Sequence, residues 1–126
     1  MKAFTQRVLQ HFLGYCTYLW VFTRFKLLTL RWDKNERDFF YFLSLLDTSD
    51  CVLDIGANLG LMSYYLAKKC EEVHAFEPMP NNYKNLERLK QHYKLQNLLL
   101  HQTALGESNQ QVELVLPVVG GVKKQG

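Results

Sequence analysis

The chain has 126 residues, of which 48% are hydrophobic and 21% charged, with a formal net charge of +3. That length holds one small domain and not two, and the composition excludes a disordered chain. The charge is mild and no Lys/Arg run exceeds two, so no nucleic-acid partner is expected; three scattered cysteines without a CxxC pair support neither a disulfide framework nor a metal site.

The first 34 residues stand apart. No acid precedes Asp33, whereas Lys2, Arg7, Arg24, Lys26 and Arg31 are basic, and 12 of the 17 aromatic residues lie at or before Phe42. The uncharged run Val8 to Thr23 is 16 residues long, short of the roughly 20 a membrane-spanning helix needs. No small-residue cleavage site follows it, so it does not read as a signal peptide. Leu9, Phe12, Cys16 and Leu19 recur at helical spacing. Residues 1–47 therefore read as a helical, aromatic and basic extension packed on the domain that follows. A basic helix lying on an anionic membrane surface through residues 1–30 is the less favoured alternative.

Phe39 to Leu46 is a dense apolar run, expected to form a short buried helix, and Asp47 to Asp50 is a loop. Cys51 to Ile55 reads as a strand buried on both faces, ended by Gly56. Leu59 to Lys69 has helical spacing, with Leu59, Met62, Leu66 and Cys70 on one side. Val73 to Phe76 is the second strand. Asn81 or Asn82 is expected to cap a helix running to about Leu95, with Tyr83, Leu86, Leu89 and Tyr93 on its apolar face. Leu98 to Gln102 is the third strand. After the turn at Gly106 to Asn109, Val112 to Leu116 is a short strand; its connection is too short for a parallel crossover, so it is expected to be antiparallel. The fold class is α/β: an incomplete Rossmann-like unit over residues 48–117 with three parallel strands, crossover helices and one short antiparallel strand, then an unstructured tail over 118–126.

The chemistry centres on Cys51 to Gly60. A helix that opens after a glycine turn presents unpaired backbone N–H groups, and small residues at the turn let a ligand approach the backbone. An acid at the end of the second strand accepts the hydroxyls of a ribose. Here that acid is Glu77, 23 positions after Asp54, against a spacing of about 20 expected from the glycine turn. Asp54 decides between cofactors. A dinucleotide would place its pyrophosphate near this carboxylate, whereas S-adenosyl-L-methionine places an ammonium and a sulfonium there. The difference is about one to a few kcal/mol if the acid is partly desolvated. Asn58 also stands where a full G-x-G-x-x-G would have its second glycine.

VLDIGANLG, AFEPMPNNYKNL and HQTALGES together resemble the FkbM-type family of S-adenosylmethionine-dependent methyltransferases, over about Trp32 to Leu116. The resemblance implies that Asp54, Gly56, Ala57, Asn58 and Gly60 surround the methionine part of the cofactor and that Glu77 holds the ribose. It places Pro78 and Asn82 beside the adenosine, and Thr103 and Ala104 near the adenine edge. It implies methyl transfer to the hydroxyl of a small molecule or sugar. The family's further strands and acidic motifs, including one like K-I-D-x-E-G, do not occur before Gly126. The chain is therefore expected to be the cofactor-binding part alone, inactive by itself. Its catalytic residues are unassigned, and a cytoplasmic location is the default. The alternatives are a non-catalytic nucleoside-binding module, a truncated product and a membrane-surface tether. His74 is expected to be a packed core residue, His101 to lie nearer the site, and Cys51 and Cys70 to be small core residues.

Overall fold

A computed structural model describes residues 3–111, 113–115, 118–119 and 122–123. Two helices open the chain, α1 (Ala3–Leu13) and α2 (Tyr15–Thr29). The helical spacing from Leu9 to Leu19 does not form one continuous face, because Gly14 breaks it with φ 74°. Across that break Phe12 is 80% exposed whereas Leu19 is fully buried.

Two 3-10 turns, Leu30–Trp32 and Lys34–Glu36, lead to α3 (Arg37–Leu45). The helix expected from the apolar run is present, but none of its residues is fully buried. Phe39 and Leu43 pack against the core while Tyr41, Phe42 and Leu45 face outward. The helix lies at the periphery and buries one side only, as an amphipathic surface helix does.

The centre is β1 (Cys51–Ile55), α4 (Leu61–Lys69), β2 (Glu72–Phe76), α5 (Pro80–Tyr93) and β3 (Leu98–His101). The strands pair in parallel in the order β1-β2-β3, with Asp54 beside Ala75 and Phe76 beside His101. Two successive crossovers in the same direction place both helices on one face. On that face Val73, Ala75 and Leu98 are completely buried against Leu66 of α4 and Leu86 and Leu89 of α5. Full burial of each such leucine contributes about 1.5–3 kcal/mol.

The other face is uncovered among the described residues. Leu53 and Ile55 are 57% and 62% exposed, so β1 is not the strand buried on both faces that its composition predicts. His74 lies on this open face and is not a packed core residue: it is hydrogen-bonded to His101 at 2.9 Å and to Glu72 at 2.8 Å. Cys51 is also exposed there, while Cys70 is buried as expected. Asn81 and Asn82 fall inside α5; its N-cap is Met79, with Pro80 at the first helical position, where proline lacks only an N–H that would be unpaired anyway.

Glu113, Leu114 and Val115 are not in a strand, and the ends of the strand expected at 112–116 lie outside the described residues. Instead β4 (Val118–Val119) and β5 (Val122–Lys123) form a small antiparallel pair within the stretch expected to be unstructured.

The N-terminal segment packs on the strand unit. Trp20 and Leu27 of α2 belong to the main core, and Tyr18 and Leu19 bury Leu59. The Tyr65 hydroxyl of α4 donates to the Leu27 carbonyl at 3.0 Å. No described helix is long and apolar enough to cross a membrane.

Candidate functional site

The loop between β1 and α4 is fixed from beneath by β2. Gly56 N–H and Ala57 N–H both donate to the Phe76 carbonyl, at 2.9 and 3.0 Å. Asn58 N–H donates to Glu77 Oε2 at 2.8 Å. Three residues of the loop have positive φ: Gly56 at 76°, Asn58 at 54° and Gly60 at 87°. Asparagine is among the few side chains that tolerate this region. Gly60 is required twice over, by its φ and because a Cβ would collide with the Leu86 side chain.

Asp54, the last residue but one of β1, is half-buried on the helix face, where its carboxylate accepts the Ser63 hydroxyl at 2.5 Å. Burial raises its pKa above the ordinary 3.8, opposed by the hydrogen bonds from the Ser63 hydroxyl and backbone. Asp54, Gly56, Ala57 and Asn58 line one cleft of about 370 Å³, together with Phe22 and Lys26 of α2 and Met62 of α4. That volume is at the small end of the roughly 300–1,000 Å³ of small-molecule sites.

Glu77 lies behind this loop and is 4% exposed. Its Oε1 accepts Met79 N–H at 2.8 Å and the Asn82 side-chain amide at 3.5 Å. With Asn58 N–H on Oε2, three donors address a carboxylate that has about four acceptor positions. The group is oriented and keeps capacity for a further donor on Oε2. Pro78 is half-buried in the turn between Glu77 and Met79.

The structure thus brings Asp54, Gly56, Ala57 and Asn58 to one cleft; Glu77 does not line it but is joined to that loop through Asn58 N–H and to Asn82 through its side-chain amide, and Pro78 follows Glu77 in the chain. Gly60 is beside the cleft but turned into the core. Thr103 and Ala104 are exposed beyond the end of β3, where Thr103 N–H donates to the His101 carbonyl at 3.0 Å. They are tied to the site through His101, whose carbonyl also accepts Glu77 N–H at 3.0 Å.

Four participants were not legible in the sequence. Ser63 was the most accessible, as a fully buried hydroxyl in the first turn of an otherwise apolar helix. Phe22 and Lys26 come from a separate helix, and no local pattern links them to Asp54. Asn85 lies on the buried side of α5, where its amide donates to the Leu59 carbonyl at 3.0 Å and to the Thr23 hydroxyl at 2.9 Å.

The Asn58 side-chain oxygen is buried without a hydrogen-bond donor. An unpaired buried acceptor costs about 1–3 kcal/mol. On the cleft itself the Asp54 carboxylate is the acidic group among the described lining residues, and it suits a cationic ligand. A pyrophosphate would find a carboxylate there instead.

Three parallel strands, two crossover helices on one face and the glycine turn constitute part of the Rossmann-like fold of methyltransferases. No family model matches the chain, and no curated protein matches it. Solved structures do. An rRNA methylase from Streptococcus thermophilus matches with TM-score 0.53 and 17% identity, over 57% of this chain and 43% of that one. A candidate methyltransferase from Streptococcus mutans in complex with SAH matches with TM-score 0.53 and 15% identity, over 57% of this chain and 41% of that one. The methyltransferase FkbM from Methylobacillus flagellatus is 25% identical over 55% of this chain and 21% of that one, with a TM-score of 0.49 that adds nothing to the fold assignment. The chain spans less than half the length of each of these structures.

Proposed function

We propose that this chain binds S-adenosyl-L-methionine in the cleft beside Asp54, as the cofactor-binding part of a methyltransferase of the FkbM type. The observation that carries the reading is the assembly of Asp54, Asn58 and Glu77 around one glycine turn, with an acid at the end of β1 and a buried, oriented acid at the end of β2. Bound cofactor supplies a methyl group activated on a sulfonium. The chain's residues bind and orient it. Asp54 and the unpaired Asn58 oxygen take the cationic amino-acid end, and Gly56 and Ala57 allow close approach of the backbone. Glu77 offers its remaining acceptor position to a ribose hydroxyl. Pro78 and Asn82 flank the adenosine, Thr103 and Ala104 lie at its adenine edge, and Gly60 holds the turn closed. The acceptor that follows from the motif resemblance is a hydroxyl of a small molecule or sugar and not a nucleic acid, and the setting is the cytoplasm.

A thermal-shift titration tests the binding claim. S-adenosylhomocysteine is expected to raise the melting temperature of the chain, and NAD to leave it unchanged. Stabilisation by NAD and not by S-adenosylhomocysteine would overturn the reading.

One observation favours a second role. Phe12, Val21, Phe25 and Leu28 are 49–80% exposed on the two N-terminal helices, in a segment with no acid before Asp33. Basic helices with exposed apolar side chains bind anionic membrane surfaces. Flotation with phosphatidylserine vesicles, lost in high salt and unaffected by substitution of Asp54 and Glu77, is the expected result. Absence of flotation at low salt would remove this role.

A further inference from the structure

S-adenosylmethionine ends in a zwitterion, and the site so far accounts for only one of its two charges. Asp54 and Asn58 face the ammonium and sulfonium; a carboxylate also needs a partner, because burying it unpaired is costly. Among the described residues lining the cleft two are charged, Asp54 and Lys26. We infer that Lys26, on the N-terminal helix α2, is the binding residue for the carboxylate of the cofactor's amino-acid end; this rests on the cofactor reading above.

Two independent features support it. The first is positioning. Thr23, one helical turn before Lys26, is completely buried and accepts a hydrogen bond from Asn85 at 2.9 Å, and Asn85 also bonds the Leu59 carbonyl of the site loop at 3.0 Å. The helix that carries Lys26 is therefore fixed to the loop that carries Asn58 by a buried polar relay. The second is availability. The Lys26 ammonium lies 3.5 Å from Asp33 Oδ2, with the two side chains 32% and 28% exposed. A partly exposed pair of this kind contributes little to stability, so Lys26 can exchange Asp33 for a ligand carboxylate without loss to the fold. The N-terminal segment thereby becomes part of the cofactor site.

Calorimetry on the full chain tests this with two probes, S-adenosylmethionine and decarboxylated S-adenosylmethionine. The second keeps the sulfonium and ammonium and lacks only the carboxylate. Lys26→Ala is expected to weaken the first by roughly tenfold to a hundredfold, the range of a charge-assisted hydrogen bond, and to leave the second unchanged. Lys26→Arg is expected to restore most of the loss. Asp33→Asn, which frees Lys26, is expected to bind S-adenosylmethionine at least as tightly as the parent. Equal weakening of both probes by Lys26→Ala, with an unchanged melting temperature, would overturn the inference, as would no weakening of either. If the parent chain binds neither probe, the cofactor reading itself fails, and this inference with it.

Discussion

The backbone N–H of Asn58 donates to the buried carboxylate of Glu77 at 2.8 Å, joining the loop after β1 to the end of β2. One buried side chain thus holds the loop that faces the cleft, through Asn58 N–H on Oε2, and the turn into α5, through Met79 N–H on Oε1. Replacing Glu77 by Gln keeps the volume and turns an amide N–H towards one of the two backbone donors, Asn58 or Met79. Loss of about 1–3 kcal/mol of stability is expected, with at least tenfold weaker binding of S-adenosylhomocysteine. Urea unfolding and calorimetry measure the two effects separately; unchanged binding would remove Glu77 from the site.

Gly60 and Leu86 define a packing contact with no room for a methyl group. Gly60→Ala combines overpacking with a left-handed backbone, so a loss of roughly 2–5 kcal/mol is expected. Adding Leu86→Ala should relieve the collision and leave the backbone strain. The double variant should therefore show a smaller loss than the sum of the two single ones, measured by denaturant unfolding.

Asp54 gives a pH dependence of defined sign. Burial holds its carboxyl above the ordinary 3.8, so the folded chain binds more protons here than the unfolded chain. The contribution of this group to stability is most favourable below 3.8 and declines as the pH rises through the raised value. At neutral pH the ionised group is a net burden, which a cation bound in the cleft would offset. Asp54→Asn is accordingly expected to raise the melting temperature at pH 7 while weakening cofactor binding. In the parent chain, binding should weaken as the pH falls through the Asp54 pKa, because the protonated acid no longer attracts a cation. A melting temperature for Asp54→Asn that lies below the parent's at pH 7 would contradict this account.

Thr23 and Asn85, 62 residues apart, are both buried and joined by a hydrogen bond of 2.9 Å. Thr23→Val preserves shape and removes the acceptor, which should cost about 1–3 kcal/mol. Because the relay continues to Leu59, the variant should also weaken S-adenosylhomocysteine binding. A stability loss with unchanged binding would show that the relay supports the fold and not the site.

Much of the fold was legible because its signals are local. The strand Cys51–Ile55 has the expected bounds, and the other two strands agree to within a residue. The glycine turn, the small residues and the two strand-end acids announce themselves by type and spacing. What was not legible depends on what packs where. Leu53 and Ile55 have the composition of a strand covered on both faces, but two crossovers of the same hand put α4 and α5 on one side and leave these residues exposed. Leu9, Phe12, Cys16 and Leu19 recur at helical spacing, yet the positive φ of Gly14 separates Phe12 from Leu19. The cap of α5 is expected at an asparagine, whereas the N-cap is Met79, with Pro80 at the first helical position. Lys26 and Asp54 are distant in sequence, and only the docking of α2 brings them to one cleft.

The most direct test of the central claim is isothermal titration calorimetry of the full chain with S-adenosylhomocysteine, repeated on Asp54→Ala and Glu77→Ala variants confirmed folded by circular dichroism. One ligand per chain for the parent, with binding lost or at least tenfold weaker in each variant, is the predicted result. No binding to the parent, or equal binding to all three proteins, would contradict the assignment of this cleft as a cofactor site.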